Sequence, residues 1–473
     1  MYREKHSVVV LGGGVAGLSA GYVLSGAGAD MVLCERGPTV GGLSRTVVHG
    51  DFRFDLGGHR FFTKNEHLEK LLKDLMGEEF VVTPRSSKIY LRGLYFDYPL
   101  KPANALFGLG IGTTARIILD YAYQKIKNIL FKPKIVSLED WVTSNFGRTM
   151  FNLYFKEYSE KVWGLPCDRI SEEWVATRIK GLSLTVAIKD ALFKSKSRKV
   201  ATLIERFLYP ELGIGRISDR FREEIEKVNP VYTGCSAVQV NHDGERIKSV
   251  DIMSERSEGT VEGSQFISSI PLTHLVAMLE PKAPADVIRA TKELRYRSTI
   301  IVVIMIDMDR ATDLTWIYFP EKKIPFGRIH EPKNWSKFMA PMGKTAVVAE
   351  YFCFENDDTW KKQDHELVIG TIKTLAGLGF IKKEDVLDSS VVRIRKAYPL
   401  FEVGYEKNYE RIIDYLQTFE NLQVIGRGGM FKYYNMDHAM ESGIKAARNI
   451  MEGRHETLEA DQKKEYMEEI YRK

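Results

Sequence analysis

The chain begins with two apolar runs that are separated by a glycine-rich turn and a segment of helical periodicity. Residues 7–11 read SVVVL, which is typical of a short buried strand, and residues 30–35 read DMVLCE. Between them lies LSAGYVLSGAGA, in which apolar positions recur at helical spacing. The pattern therefore predicts a strand, a helix and a second strand, as in a parallel α/β unit.

The turn after the first strand carries Gly12, Gly14 and Gly17 in the spacing G-x-G-x-x-G. Gly12 permits a tight turn, Gly14 lets backbone N–H groups approach a pyrophosphate, and Gly17 lets the helix pack closely on the strand. The second strand ends at Glu35, where a carboxylate can accept hydrogen bonds from a ribose. Together these features predict dinucleotide binding.

A second glycine pair, Gly41 and Gly42, follows Glu35 in the stretch RGPTVGGLSRT, together with Arg45. The pair adds N–H donors, and the arginine adds a cation, for the same pyrophosphate. The pair resembles the glycine doublet of FAD enzymes in the amine-oxidase superfamily, which NAD enzymes usually lack, and this resemblance implies FAD as the cofactor. A plain surface turn is the alternative. Further candidate cofactor contacts in this part of the chain are Val15, Ala16, Arg36 and Leu43.

A third glycine pair is followed by a histidine in FDLGGHRFFTKN, residues 54–65. In a flavin enzyme, Gly57 and Gly58 would run close to the isoalloxazine ring and His59 would lie near its reactive edge. A structural histidine is the alternative. The following NEHLEKLLKDL is amphipathic and predicts a helix.

The end of the chain repeats the strand–turn–helix pattern. The strand FENLQVIG at residues 419–426 leads into GRGGMFKYYNMDHAM, residues 426–440. We expect this unit to lie beside the first one, with the N-terminus of its helix pointing at the flavin. The positive end of a helix dipole there would stabilise negative charge on a reduced flavin. Gly426, Arg427 and Met436 are the candidate cofactor contacts.

The return of short strands late in the chain predicts an α/β fold with a discontinuous, Rossmann-like FAD-binding domain. Its expected segments are residues 1–100, 205–275 and 416–455. The middle segment includes PVYTGCSAVQVNHD, whose Val238 is a further candidate cofactor contact.

Two other parts of the pattern predict separate domains. The helical periodicity of residues 101–204 predicts a helical insertion that forms a substrate or cap domain. Apolar runs at 300–308 and 345–354 predict a second, antiparallel sheet within a substrate domain of residues 276–415. Residues 456–473 are charged and predict a solvated C-terminal helix.

Composition narrows the function further. The formal net charge of +5 is too small and too scattered for nucleic acid, but it suits an anionic small molecule. None of the four cysteines forms a C-x-x-C pair, so we expect no metal site and no disulfide framework, and a cytoplasmic location. The opening MYREKH leaves no room for a signal peptide.

The longest apolar candidate for a membrane segment is residues 104–131, which Arg116 and Asp120 interrupt. No uninterrupted run approaches the roughly 18 residues of a spanning helix, so we expect no transmembrane segment. A surface helix or a pocket wall is the favoured interpretation. Peripheral contact with a membrane surface is the alternative.

Several motifs together resemble one family, the UDP-galactopyranose mutases, within the wider superfamily of FAD amine oxidases. They are the glycine fingerprint with GGLSRT, then DLGGHRFFTKN, YSEKVWGLPCDRISEEWVATRIKGL, LRYRST and GRGGMFKYYNMDHAM. They are scattered over nearly the whole chain. The fingerprint and the glycine pair are typical of the superfamily, whereas WG after YSEK and the spacing GR-x₅-Y are typical of the mutases.

The resemblance implies roles for seven residues. His59 matches the flavin-side histidine, and Trp163 matches a tryptophan that covers a uracil face. Arg178 lies at or next to an arginine of the substrate region, and Arg297 resembles an arginine that faces the flavin and the substrate diphosphate. The remaining matches are Arg427 and Tyr433, which grip the diphosphate, and Asn435, which stands where the family usually has Asp.

The same resemblance implies a flavin isomerase that acts on a nucleotide-diphosphate sugar through N5 of the reduced flavin, with His59, Arg297 and Arg427 as catalytic residues. NADPH or NADH is the expected reductant. The alternative is an FAD oxidoreductase, such as an amine oxidase, a protoporphyrinogen oxidase or a desaturase-like enzyme, that takes hydride from an apolar or amine substrate. The sequence leaves the sugar, the nucleotide and the oligomeric state open.

Overall fold

The computed structural model describes residues 2–98, 110–179, 206–255, 257–454 and 458. Two large sheets organise them, and helices cover both. The Arg178 side chain and nearly all of the predicted C-terminal helix lie outside the described residues.

The first sheet has a parallel core that includes the two strands predicted at the start of the chain. Its hydrogen-bonded order is Leu279–Glu280, Ser236–His242, Ile247–Met253, Glu258–Ser268, Tyr2–Leu11, Met31–Cys34 and Val231–Tyr232. The strand Tyr2–Leu11 pairs in parallel with neighbours on both sides. Its residues Val8–Leu11 are buried on both faces, Val8 and Val10 in one hydrophobic cluster and Val9 and Leu11 in another.

The long strand Glu258–Ser268 joins distant parts of the chain into this sheet. Its first half pairs with the antiparallel strand Ile247–Met253, and its second half pairs in parallel with Leu422–Val424. The predicted Rossmann-like domain of non-contiguous segments is therefore confirmed.

The second sheet is mostly antiparallel, as the sequence predicts. Its order is Val386–Pro399, Tyr296–Ile306, Thr345–Cys353, Arg328–His330, Trp316–Tyr318, Ser87–Leu91 and Leu94–Asp97. The last two strands correct the expected segment 1–100, because their hydrogen bonds place residues 87–97 in the second sheet. Two separate antiparallel pairs complete the described strands. They are the hairpin of Thr46–His49 with Phe52–Asp55, and the long-range pair of Phe80–Pro84 with Arg206–Pro210.

The described part of residues 101–204 is helical, as its periodicity predicts. The α-helices among the described residues, several of them a single turn, are Val15–Gly26, Glu66–Met76, Ile111–Phe131, Leu138–Phe146, Arg148–Met150, Lys156–Trp163, Glu172–Ile179, Arg216–Ile225, Leu272–Met278, Ala285–Glu293, Asp358–Lys361, Asp364–Gly377, Glu406–Leu416, Gly426–Gly429 and Met436–Glu452. No helix within the described ranges has both the length and the apolar character needed to cross a membrane.

Helices Val15–Gly26 and Met436–Glu452 cross at very short distance, which brings an early and a late segment of the chain together. A Cβ atom on Gly443 would lie 2.1 Å from the carbonyl oxygen of Ala16, so only glycine fits at this crossing. Ser19 Oγ donates to the carbonyl oxygen of Met440 at 3.0 Å across the same contact. The crossing therefore sets the positions of the two helix N-termini relative to each other.

Candidate flavin site

The glycine fingerprint adopts the geometry that a dinucleotide requires. A Cβ atom on Gly17 would lie 2.0 Å from the carbonyl oxygen of Gly12, so glycine is needed for the helix to meet the strand. A Cβ atom on Gly14, by contrast, would meet no protein atom within 4 Å. Gly14 therefore faces open space at the start of helix Val15–Gly26, which includes Ala16 and has no side-chain cap. This is where a pyrophosphate would bind.

Glu35 marks the ribose end of the site. Its half-buried carboxylate accepts hydrogen bonds from the backbone N–H of Gly13 at 2.7 Å and of Gly37 at 2.6 Å. The carbonyl oxygen of Glu35 accepts from Cys235 N–H at 2.8 Å, which brings the strand of Val238 alongside. Val238 itself is partly exposed, and Arg36 is exposed.

The second glycine pair lies directly on the fingerprint. Gly41 N–H donates to the carbonyl oxygen of Gly13 at 2.7 Å, and a Cβ atom on Gly42 would lie 3.2 Å from the Cα atom of Gly14. Leu43 and Arg45 follow as half-buried residues. Burial lowers the pKa of Arg45 from its ordinary value, and the charge of Glu35 opposes that shift. The pair and the arginine thus face the same place as Gly14.

The C-terminal turn meets the fingerprint from the other side. Gly426 has a φ of +72°, and a Cβ atom on it would lie 2.9 Å from the Cβ atom of Ala16. Gly426 N–H donates to Ser442 Oγ at 3.0 Å. Helix Met436–Glu452 begins after Asn435, which makes no side-chain cap, and Met436 is buried. Two helix N-termini without side-chain caps therefore converge, each able to bind negative charge.

The loop of Gly57 and Gly58 packs against the second sheet. Gly57 has a φ of +109°, and a Cβ atom on Gly58 would lie 2.2 Å from Cζ2 of Trp316. Gly58 N–H donates to Oε1 of Glu350 at 3.2 Å. Glycine is needed at both positions, because the loop turns through the left-handed region and then lies against an indole ring.

His59 follows the loop and is neutral at physiological pH. Burial, reinforced by the charge of Arg427, lowers the pKa of its imidazole from 6.5 to about 4. Its Nδ1 atom is buried and has no hydrogen-bond partner among the described residues. A buried neutral imidazole can exchange a hydrogen bond with a bound group without carrying charge.

A buried ion pair supports this loop. Arg328 Nη2 lies 2.6 Å from Oε2 of Glu350 and donates to the hydroxyl oxygen of Tyr398 at 3.0 Å. Burial tends to raise the pKa of Glu350, but Arg328 and His330 outweigh it and lower the pKa to about 2. Glu350 is therefore a carboxylate, and Arg328 remains a cation beside the site.

Sequence reasoning missed Arg328, Glu350 and Tyr398. A signal was available for Glu350, because it stands within the apolar run TAVVAEYFCF, where a charged residue needs a buried partner. Arg328 lies in the short strand RIH, which has no periodic signature of its own.

Arg427 lies among aromatic rings on the side of the site near His59. Its Nε donates to the carbonyl oxygen of Tyr434 at 2.6 Å, and its Cζ atom lies 4.8 Å from the ring centre of Tyr433 and 5.5 Å from that of Tyr398. The rings of Tyr398 and Tyr433 stack at 5.8 Å. Trp163 is 2 % exposed, and its ring packs against that of Tyr433 with 5.9 Å between the ring centres. The structure thus brings Trp163, Tyr433 and Arg427 together.

Arg297 does not have the position that the resemblance implies. Its side chain is buried and donates to the carbonyl oxygens of Val162 and Phe352 at 2.9 and 3.1 Å, with Asp357 at 3.3 Å. A Cβ atom on Gly164 would lie 2.5 Å from its Cζ atom. The guanidinium donates to carbonyl oxygens at the C-terminal end of helix Lys156–Trp163. It therefore stabilises that helix end and does not face an open cleft.

The residues present fit FAD. The candidate contacts follow the order of the parts of FAD. Glu35 lies at the ribose end, and Gly14 and Gly426 lie at the pyrophosphate. Arg427 and His59 lie at the ring end. At the ring end, three buried donors or acceptors have no partner among the residues described, namely His59 Nδ1, Arg328 Nε and Trp316 Nε1. Such atoms are costly unless a bound group satisfies them. Within the described ranges, no cluster of His, Cys, Asp and Glu is arranged to hold a metal ion.

Comparisons with known proteins agree with this geometry. A family model described as flavin containing amine oxidoreductase matches residues 15–451. The chain is similar to a crystal structure of reduced UDP-galactopyranose mutase at 23% identity, with a TM-score of 0.82, over 97% of this chain and 98% of that one. It is also similar to a putrescine oxidase with bound putrescine at 15% identity, with a TM-score of 0.66, over 95% of this chain and 100% of that one.

Curated relatives match over a shorter stretch. An L-amino-acid oxidase of Crotalus adamanteus is 28% identical over 152 residues, which is 28% of this chain and 30% of the relative. The chain therefore matches less than a third of the length of that relative.

Proposed function

Because the chain belongs to the flavin-containing amine oxidoreductase family, we propose that it is an FAD enzyme. We propose further that it isomerises a nucleotide-diphosphate sugar, as the structurally similar UDP-galactopyranose mutase does. One observation carries the proposal. Arg427 lies beside the ring of Tyr398 at the ring end of the flavin site, and Arg328, whose charge Glu350 balances, donates to the hydroxyl of the same tyrosine, so a cation and a fixed phenol would face a bound diphosphate. A simple amine, which carries no anionic group, would not need such a cation.

Displacing a diphosphate from a sugar requires groups that hold the leaving anion and its developing charge. Arg427 would bind the diphosphate, because its guanidinium is fixed by Tyr434 and lies on the ring of Tyr433. Arg328, which is paired with Glu350, would hold the Tyr398 hydroxyl in place through its hydrogen bond. Bound FAD, when reduced by NADPH or NADH, supplies a nucleophilic N5 atom for chemistry at the anomeric carbon.

Two further groups of the chain would prepare the site. His59 stays neutral, so it can hold a hydrogen bond to the sugar or the cofactor without repelling Arg427. Glu350 accepts the N–H of Gly58 and pairs with Arg328, and it therefore fixes the loop and the cation together. Burial raises the pKa of Tyr398 to about 12, so its hydroxyl remains a donor.

The decisive experiment uses purified yellow protein in two redox states. Dithionite-reduced protein is incubated with UDP-galactopyranose and with UDP-galactofuranose, and the products are separated by chromatography. Interconversion only by the reduced protein, without net consumption of reductant, is the expected result. Absence of interconversion together with absence of UDP binding in a thermal-shift measurement would reject the proposal.

A second candidate is an amino-acid oxidase, and the match to an L-amino-acid oxidase favours it. In that case Arg427 would bind the carboxylate of the substrate. Oxidised protein would then release peroxide with L-amino acids, which the mutase proposal does not predict. The same preparation, assayed for peroxide against a panel of amino acids, distinguishes the two.

A further inference from the structure

The helix Ile111–Phe131 turns an apolar stripe toward solvent. The exposed fractions of Ile111, Leu119, Ile126 and Ile129 are 86%, 71%, 59% and 75%. Their spacing, with Ala115 and Ala122 between them, places them on one side of the helix. At about 1.5 Å per residue the stripe runs along most of a helix roughly 30 Å long.

The opposite side of the same helix is unusually polar for a buried face. Thr114 and Gln124 are buried there with Ile117 and Tyr121. Gln124 Nε2 donates to Asn128 Oδ1 at 2.8 Å, and the amide of Asn128 donates to the carbonyl oxygen of Ser144 at 2.8 Å. A helix on the surface of a soluble protein normally has the reverse arrangement. The apolar stripe is therefore a surface that needs a covering partner.

Cations flank the stripe on both sides. With about 100° of rotation per residue, Arg116 and Lys127 lie along one edge of the stripe and Lys125 lies along the other. Lys132 and Lys134 follow directly after the helix, and all five side chains are exposed. The one acidic residue of the helix, Asp120, accepts the N–H of Thr149 at 2.5 Å and so faces the protein.

We propose that helix Ile111–Phe131 is a docking surface for a membrane that contains anionic lipids. Its apolar stripe would enter the boundary between headgroups and acyl chains, and the flanking cations would lie at the level of the lipid phosphates. The alternative occupant is a second copy of the chain. A two-fold contact through this stripe would bring the basic edges of both copies together, which like-charge repulsion disfavours. The proposal does not depend on the enzymatic function.

The test is flotation of the purified protein with vesicles of phosphatidylcholine, and with vesicles that also contain phosphatidylglycerol. We expect binding to the anionic vesicles and weak or no binding to the neutral ones. The triple variant Leu119→Ser/Ile126→Ser/Ile129→Ser should bind anionic vesicles about tenfold more weakly or worse. The variant Lys125→Gln/Lys127→Gln/Lys132→Gln should lose the preference for anionic lipid.

The matched control is Ile369→Ser, which removes an isoleucine with an exposed fraction of 63% from another surface helix. It should bind vesicles like the parent, and all variants should keep their flavin absorbance and thermal midpoint. A failure of the parent to bind anionic vesicles would overturn the proposal. Equal binding of the parent and the triple variant to anionic vesicles would also overturn it. A lipid-free dimer of the parent that the triple substitution dissociates would overturn it as well, since a second copy would then cover the stripe.

A depth measurement gives an independent check. The variant Ile126→Trp places a fluorophore in the middle of the stripe. Its added emission should shift to the blue on anionic vesicles and should be quenched by lipids brominated on their acyl chains. An unchanged spectrum in the presence of bound vesicles would also overturn the proposal, because the stripe would then remain in water.

Discussion

Arg328 and Glu350 form an ion pair with 2.6 Å between Nη2 and Oε2, and the same carboxylate accepts the N–H of Gly58 through its other oxygen. The pair therefore joins the second sheet to the glycine loop that leads to His59. The carboxylate of Glu350 thus connects two segments, at Gly58 and at Glu350, that are 292 residues apart in sequence.

Replacing one member of that pair should cost much stability. Glu350→Gln leaves Arg328 buried without a counter-charge, and we expect a loss of about 3–5 kcal/mol in the free energy of unfolding. Denaturant unfolding measures this loss. The control Arg411→Gln breaks an exposed pair with Asp286 and should change stability by less than about 1 kcal/mol. Equal effects of the two substitutions would contradict the assignment.

Two glycines of the fingerprint should respond differently to the same substitution. Gly17→Ala forces a Cβ atom against the carbonyl of Gly12 and should destabilise the protein by about 1–3 kcal/mol as well as lower its flavin content. Gly14→Ala meets no protein atom, so the fold should be retained while FAD binding weakens about tenfold or more. Absorbance of bound flavin and thermal unfolding of the apoprotein separate the two effects. Full flavin content in Gly14→Ala would place the pyrophosphate elsewhere.

Arg427 should affect the binding of the diphosphate far more than that of FAD. Arg427→Ala removes a charge-assisted contact, and we expect UDP to bind more weakly by about 2 kcal/mol, or roughly thirtyfold. Calorimetric titration with UDP measures this change. Arg289→Ala, on the exposed face of helix Ala285–Glu293, is the control and should leave the UDP affinity unchanged.

Arg297 should behave in the opposite way to Arg427. Arg297→Met leaves the carbonyl oxygens at the end of helix Lys156–Trp163 without their donor and should cost about 3 kcal/mol of stability. The affinity of the folded protein for UDP should change less than about twofold. A stable variant that has lost UDP binding would restore the role that the family resemblance implies.

His59 should make stability depend on pH over a defined window. Its folded-state pKa of about 4 lies below the ordinary value of 6.5, so between these values the unfolded chain binds a proton that the folded chain does not. Stability should therefore be complete above pH 6.5 and decline as the pH falls toward 4.

The variant His59→Gln removes this proton uptake and should flatten the decline, with a slope that differs from the parent by at most about 1.4 kcal/mol per pH unit. Thermal midpoints of both proteins across the window provide the measurement. The exposed His365 serves as a control, since His365→Gln should leave the slope unchanged. A parallel decline in the parent and His59→Gln would show that the imidazole is not buried neutral.

The sequence alone determined those features that depend on local geometry. Gly12, Gly14, Gly17 and Glu35 lie within one strand–turn–helix–strand unit, where spacing along the chain fixes spacing in the fold. The repeat of this pattern at Gly426 predicted the second unit for the same reason. The direction of each helix dipole follows from chain direction, so the site for negative charge was also foreseeable.

Only the tertiary structure decided which long-range charges meet. Arg328 and Glu350 lie on neighbouring strands of the second sheet, and Tyr398 lies on a third strand beyond Tyr296–Ile306, so no local periodicity encodes their contact. Arg297 shows the same point in reverse. Its residue type suited an anion site, but the strand that carries it runs beneath a helix end, whose carbonyl oxygens take up the guanidinium. The side of helix Ile111–Phe131 that faces solvent was likewise set by packing, because its period predicts a stripe but not which side the protein covers.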